Sequence, residues 1–236
     1  MSGARGRIWR RRAVALALIG VALLAGYWFW LRDSSLVAVE QVEVKGATAN
    51  AEQISAALEQ VALGMTTLNV DDEELVRAVS GFPTVASIAA DASIPHKLTI
   101  TITERLPVAV VRQGGEAIAV SVDGYLLPGV DVQGEGLPEI VGAEVSAGRL
   151  QEEAAAQAAI VGAAPAELRE RIDAVAWDPT RGGVVVEVEG APEARFGDGA
   201  DGDLKWEALA AVLLDPEGSA ASYIDVSVPE RAVSGG

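Results

Sequence analysis

The spacing of hydrophobic residues along this chain changes at residue 32. Residues 13–31 are all uncharged and almost all apolar, whereas later apolar residues recur every second position or every third to fourth position. A helix over 13–31 would be about 28 Å long, close to the hydrocarbon thickness of a bilayer. The pattern therefore predicts a single N-terminal transmembrane helix at 13–31, followed by a region of mixed α+β structure.

The charges on either side of this apolar run indicate its orientation. Five arginines and no acidic residue lie within residues 1–12, a bias that is typical of the cytoplasmic side of a membrane helix. We therefore expect a cytoplasmic tail at 1–12, the span at 13–31 and a short linker at 32–36. A cleavable signal peptide would share the basic start, but Tyr27, Trp28 and Trp30 are bulky where a cleavage site needs small residues, so an uncleaved anchor is favoured.

Residues 37–106 have the pattern of a small domain. Val42 and Val44 alternate with polar neighbours, and the run Leu98–Thr103 alternates strictly, so both segments predict strands, with a weaker strand at 85–92. Two sets of apolar residues between the first and second strands have helical spacing: Ile54, Leu58 and Val61, then Leu75, Val79 and Phe82. The predicted order is β-α-α-β-β, with two short helices on one face of a three-stranded sheet.

The pattern over residues 107–231 is dominated by short apolar runs separated by turn residues. Helical spacing is confined to 151–161, a turn or two at 165–172, and 204–214. The sequence therefore predicts a β-rich mixed domain with two or three helices. Residues 232–236 are expected to be a frayed tail.

The composition excludes several functional classes. The net charge is −16, and six of the 18 basic residues precede the first acidic one, which leaves 12 against all 34 acidic residues in the outer part. A surface this negative repels phosphate backbones, so nucleic-acid binding is disfavoured. Because there is no cysteine, neither disulfides nor thiolate chemistry is available.

Candidate catalytic residues are few. His96 is the only histidine, and its place at the start of a predicted strand favours a solvated side chain over a catalytic base. The acidic run Asp71–Glu74 lies at the start of a predicted helix, where carboxylates interact favourably with the helix dipole. We therefore predict no catalytic residues and no small-molecule substrate.

Asp198, Asp201 and Asp203 have a spacing that partly matches a calcium loop. A loop counted from Asp201 would place Lys205 and Trp206 where a ligand and a glycine are required. A turn leading into a helix explains the three aspartates better, and no metal or cofactor is predicted.

Several segments, taken in order, resemble a known family. The segments Val39–Gly46, Leu63–Asp71 and Pro95–Ala109 resemble the POTRA domain. Those that follow have the order seen in the FtsQ/DivIB cell-division proteins: Val122–Tyr125, Leu137–Gly142, Phe196–Gly197, Lys205 and Ile224–Val226. The resemblance covers nearly the whole chain. Ala92 and Ser227 depart from it, since members often carry arginine at these places.

This resemblance implies a function. Members are non-enzymatic, bitopic scaffolds of the bacterial divisome in the cell (inner) membrane, enriched at the division septum. They link early and late division proteins and control septal peptidoglycan synthesis through FtsB (DivIC) and FtsL, and thus act on the septal synthase indirectly. The alternative is a membrane-anchored POTRA protein of protein transport or envelope assembly. Such proteins usually carry several POTRA units, and the pattern here predicts one.

The resemblance also implies a partner-binding strand near the C-terminus. In the family, FtsB is thought to add a strand to the sheet edge formed there, and an edge strand with free N–H and C=O groups is a template for such pairing. Alternating apolar and polar residues, ending at Pro229, predict that strand, and its residues are the candidate partner-binding site: Tyr223, Ile224, Asp225, Val226, Ser227 and Val228. The alternative is an ordinary closing strand that only completes the core.

Overall fold

The computed structural model describes residues 3–132 and 136–236, and its contacts divide the chain between Glu104 and Arg105 into two compact units. The N-terminal helix α1 (Gly3–Gly26) continues directly into a π-helical turn, Tyr27–Leu31. The predicted boundary between tail and span therefore falls inside α1, and Met1 and Ser2 of the predicted tail lie outside the described residues. Within the described ranges, no helix combines the length and the apolar character that a membrane crossing requires.

The first unit has the predicted order of strands and helices after α1. Its elements are β1 (Gln41–Lys45), α2 (Ala51–Ala62), α3 (Asp72–Val79), β2 (Val85–Ser93) and β3 (Lys97–Glu104). The sheet order is β1-β3-β2, so β3 is central, parallel to β1 and antiparallel to β2.

The core of the first unit follows the predicted faces. Leu98 and Ile100 of β3 are fully buried with Ile54 and Leu58 of α2. Burial of side chains of this size contributes about 1.5–3 kcal/mol each, which favours this sheet register over one shifted by a residue.

Gly46 ends β1 for a steric reason. Its φ is +88°, and a Cβ at this position would collide with the backbone carbonyl of Ile102 on β3. Glycine alone adopts this conformation without strain, so the chain can leave the sheet here while staying close to β3.

Residues 32–36, predicted as a linker, are bound to the connection between α2 and α3. The Arg32 guanidinium donates to the Asn69 side chain, and the Thr66 hydroxyl donates to the Arg32 carbonyl oxygen. The Asn69 amide donates to Asp33 at 3.1 Å. The segment is therefore part of the first unit rather than a free connection.

The second unit contains three sheets and four helices within its described residues. In chain order its elements are β4 (Pro107–Gln113), β5 (Glu116–Ser121), β6 (Leu126–Leu127), β7 (Val145–Ser146), β8 (Arg149–Leu150), α4 (Glu152–Ala163), α5 (Ala166–Arg169), β9 (Ile172–Asp178), β10 (Gly183–Val188), β11 (Glu193–Gly197), α6 (Gly202–Leu213), α7 (Pro216–Ser219), β12 (Tyr223–Asp225) and β13 (Val233–Gly235). The sheets are β4-β5-β6, the hairpin β7-β8, and the five-stranded β13-β12-β11-β10-β9.

Helix α6 carries the chain across the five-stranded sheet. Strands β11 and β12 are parallel, a pairing that requires a crossover connection. The crossover buries Trp206, whose ring lies 4.6 Å from that of Phe196 on β11 and whose Nε1 donates to the Ile160 carbonyl oxygen at 2.8 Å. Among the residues whose burial the structure describes, Trp206 and Phe196 have the largest fully buried side chains.

The second unit differs from the prediction in three places. It has four helices rather than two or three, because the four-residue segment α7 was not predicted, whereas α5 lies within the predicted turn or two at 165–172. The last predicted strand, 223–228, ends at Asp225. Residues 232–236 were predicted to be a frayed tail, but Val233–Gly235 form the edge strand β13.

Candidate partner-binding edge

The predicted partner-binding residues lie on β12 and in the segment that follows it. The alternation predicted from the sequence is present at Ile224 and Val226, which are fully buried. Val226 N donates to the Arg195 carbonyl oxygen at 2.8 Å, which extends the contact with β11 one residue beyond the strand. Val228 breaks the alternation, since its side chain is 50% exposed.

A local turn explains why the strand stops early. The Asp225 carboxylate accepts hydrogen bonds from the backbone N–H of Ser227 at 2.9 Å and from its hydroxyl at 2.6 Å. Aspartate commonly binds the backbone two residues ahead in this way and turns the chain out of a sheet. The Ser227 N–H is therefore used inside the turn and does not point along an open sheet edge.

Strand β13 covers the side of β12 that the sequence predicted to be open. Tyr223, Ile224 and Asp225 pair with Gly235, Ser234 and Val233. The N–H and hydroxyl of Ser222 both donate to the Gly235 carbonyl oxygen, at 2.8 and 3.0 Å. Because β11 occupies the other side, β12 is an inner strand and the outer edge of this sheet belongs to β13.

A row of alternating charges holds a guanidinium group over the ring of Tyr223. The Arg195 guanidinium lies 3.8 Å from the centre of the Tyr223 ring, and its Nε is 2.9 Å from a Glu193 carboxylate oxygen. Glu193 also contacts Arg181 at 3.1 Å, and Arg181 pairs with Asp178 at the end of β9. A cation placed over an aromatic ring contributes about 0.5–1 kcal/mol at exposed sites, so this row helps to fix the first residue of β12.

Asp178 at the far end of this row should titrate abnormally. Its carboxylate accepts from the Thr180 hydroxyl at 2.6 Å and from the Thr180 N–H at 2.8 Å, and these bonds, with Arg181 beside it, lower the pKa of Asp178 from 3.8 to about 2. The pKa of Asp178 is lower in the folded chain than in the unfolded chain, so its ionised carboxylate stabilises the fold at pH values above the unfolded pKa. This contribution is lost as the pH falls toward 2. A carboxyl NMR titration should show the low midpoint, and Thr180→Val should raise it. A midpoint near 3.8 in the unaltered chain would contradict the assignment.

The candidate metal residues have other roles in the structure. The Asp198 carboxylate accepts from the buried Lys205 ammonium at 2.7 Å, and this bond lowers the pKa of Asp198. Asp201 adopts the left-handed conformation just before α6. Among residues 3–132 and 136–236, no group of three or more His, Cys, Asp or Glu side chains is arranged to hold a metal ion.

The candidate catalytic residues likewise have structural partners. The Nδ1 of His96 lies 2.9 Å from the Ala38 carbonyl oxygen. Asp71 caps α3 by accepting from the Glu74 N–H at 2.9 Å, as its place ahead of a helix predicts.

Two features of the second unit were not predicted from the sequence. The first is β13, for which a valine soon after the turn at Pro229–Arg231 is the only local signal. The second is a cleft of about 520 Å³ beside β9, lined by Glu144, Gln157 and Trp177 among others. These three residues come from separate elements, and no pattern along the chain connects them.

Comparisons with known proteins match both units. The family model of the POTRA domain, FtsQ-type, matches residues 37–105. The cell division protein FtsQ of Streptomyces venezuelae is 30% identical over 99% of this chain and 89% of its own length. Proteins of the same name from Streptomyces collinus and Streptomyces coelicolor are 28% and 24% identical, each over 96% of this chain and 89% of their own length.

Proposed function

Because this chain belongs to the FtsQ family of cell-division proteins, we propose that it is a non-enzymatic scaffold of the divisome. In this role it links early and late division proteins and controls septal peptidoglycan synthesis through FtsB (DivIC) and FtsL. The observation that carries the proposal is the 30% identity to a cell division protein over almost the whole chain. That identity extends well beyond the POTRA domain into the β-rich unit.

The proposal includes a membrane anchor at residues 13–31, a run that is divided between α1 and the π-helical turn, so that neither element alone contains all of it. The run is uncharged and follows five arginines, which supports a cytoplasmic N-terminus and an extracytoplasmic location for the rest of the chain. The backbone is helical through α1 and the π-helical turn, and its large apolar side chains from 14 onward are mostly exposed: Val14, Leu16, Leu18, Ile19, Val21, Leu23 and Leu24. Apolar side chains in such a row favour contact with lipid over contact with water.

We further propose that FtsB pairs with β12 after displacing β13. Ile224 and Val226 anchor β12 in the core, so this strand keeps its position when its neighbour leaves. By contrast, β13 is only three residues long, with Val233 and Ser234 exposed. A longer strand from a partner would replace the main-chain hydrogen bonds of β13 and add new ones, as in other complexes formed by strand addition.

Depletion of the protein in its own cells tests the proposed function. Cells should elongate into filaments or branches without septa, and expression of the unaltered chain should restore septation. Normal septation combined with a defect in secretion or envelope assembly would contradict the scaffold role and favour the transport alternative.

A further inference from the structure

The chain between the apolar run and β1 is held by successive hydrogen bonds. After the π-helical turn that ends at Leu31, the N–H of Ser34 donates to the Leu31 carbonyl oxygen at 3.2 Å. A 3-10 turn, Ser35–Val37, follows directly, and its last N–H donates to the Ser34 carbonyl oxygen at 3.1 Å. Five residues in tight turns advance the chain by about 10 Å, so Leu36 follows the end of the apolar run closely.

The end of the first unit beside this turn is built from three segments that meet at Thr67. The N–H of Thr67 donates to the Val37 carbonyl oxygen at 2.7 Å, and its hydroxyl donates to the Pro95 carbonyl oxygen at 3.0 Å. The loop that carries Thr67 is also hydrogen-bonded to Arg32, the residue after the run. We call these three segments the anchor-proximal end: 35–37, 66–69 and 94–96.

Two large apolar side chains are exposed on the anchor-proximal end. Leu36 is 60% exposed and Ile94 is 67% exposed. Each comes directly before a residue whose carbonyl oxygen accepts a hydrogen bond from Thr67, so both belong to the same end of the unit. Scattered exposed apolar residues are ordinary, but two at the end bonded to the residue after an apolar run indicate a contact surface.

We propose that the anchor-proximal end rests on the outer surface of the lipid bilayer, with Leu36 and Ile94 inserted among the headgroups. The inference rests on the membrane anchor proposed above, because an anchor at 13–31 brings this end to the headgroup layer, which is about 5–8 Å thick on one side. Apolar side chains at this depth reach the boundary with the acyl chains. The chain carries a net charge of −16, so anionic headgroups repel it and the contact depends on these apolar side chains.

The hydrogen bonds of Arg32 give this contact a consequence for orientation. The Arg32 guanidinium donates to the Asn69 side chain, and its carbonyl oxygen accepts from the Thr66 hydroxyl. The loop of the first unit is thus bound to the residue directly after the apolar run. The first unit is therefore held in one orientation against the bilayer and does not swing on a free connection.

Fluorescent labels on single cysteines test the contact in the full-length chain, which has no cysteine of its own. Leu36→Cys and Ile94→Cys carry nitrobenzoxadiazole in nanodiscs of phosphatidylcholine and phosphatidylglycerol with a nitroxide quencher on the headgroups. Both labels should lose most of their emission. The matched control is Gln53→Cys, an exposed position at the far end of α2. This helix is about 18 Å long, so the control label should keep its emission.

A fourth label separates this inference from the anchor itself. Leu23→Cys lies within the apolar run and should be quenched by nitroxides on the acyl chains. If it is quenched while the labels at Leu36→Cys and Ile94→Cys stay as bright as the control, the anchor stands and this inference is wrong. If the Leu23→Cys label is not quenched, the proposed anchor fails and this inference fails with it. Labels shielded from water but not quenched by the headgroup nitroxide would show contact with a second protein, which also overturns the proposal.

A double variant tests the fixed orientation. Thr66→Val with Asn69→Ala removes the hydrogen bonds to Arg32, so headgroup quenching of the Ile94→Cys label should fall several-fold while the melting temperature changes little. Thr101→Val, the same type of change at an exposed position of β3, is the matched control and should leave the quenching as it is. Full quenching in the double variant would mean that these hydrogen bonds do not orient the unit.

Discussion

Trp206→Ala is expected to lower the free energy of unfolding of the second unit by about 3–5 kcal/mol. The side chain is fully buried, stacks obliquely on Phe196 and donates to the Ile160 carbonyl oxygen. Its removal leaves a large cavity and an unpaired carbonyl in one step. Because α6 connects β11 to β12, the substitution should destabilise the whole crossover.

Amide hydrogen exchange, measured on peptides from residues 105–236, gives the unfolding free energy of this unit separately from the rest of the chain. Protection should fall by two to four orders of magnitude for amides that exchange by complete unfolding, given about 1.4 kcal/mol for each factor of ten. Glu207→Ala changes the next residue, which is exposed, and should alter stability by no more than about 0.5 kcal/mol. A comparable effect of both variants would mean that Trp206 is not central to the core.

If FtsB binds as proposed, a disulfide between β12 and β13 should weaken that binding at least tenfold. Asp225 and Val233 lie directly opposite each other, a position at which Cβ atoms are close enough for a disulfide. The chain has no cysteine, so the double variant Asp225→Cys/Val233→Cys can form no other disulfide within one molecule. Oxidation holds β13 in place, and if FtsB must displace β13, the oxidised protein cannot bind it.

Reduction of the same protein is the first control, because it keeps both substitutions and frees the strand. Binding to purified FtsB should then return. A second control places the bridge elsewhere in the unit, with Arg112→Cys and Ala117→Cys on the paired strands β4 and β5, and oxidation there should leave binding unchanged. If the oxidised β12–β13 variant binds as tightly as the reduced one, FtsB does not use the β12 edge.

Periodicity predicted those elements whose faces are strictly divided between core and water. Leu98, Ile100 and Ile102 alternate with threonines, and all three are buried. The helix faces around Ile54 and Leu75 were predicted for the same reason, with a polar surface opposite the core. In each case the spacing of apolar residues lies within one helix or strand, so the element can be predicted without knowledge of the elements packed against it.

The partner edge could be predicted only in part, because its limits depend on non-local contacts. Ile224 and Val226 are buried as their alternation predicts, but the side chain of Asp225 turns the chain before Val228 can follow. Strand β13 has no alternation of its own and exists through pairing with β12. The cleft around Gln157 requires residues from a loop, a helix and a strand to meet, which no local pattern specifies.

The parallel pairing of β1 with β3 sets an order for the folding of the first unit. Strands β2 and β3 are joined by a short connection and can pair early, whereas Gln41 and Lys97 are distant in sequence, so β1 must close a long loop before it docks. Until then the edge of β3 is open to strands of other chains. Glu43 of β1 lies 2.7 Å from Lys97 and 3.1 Å from Lys45. We expect these exposed ion pairs, which an apolar competitor could not form, to give the chain's own strand a small advantage during that interval.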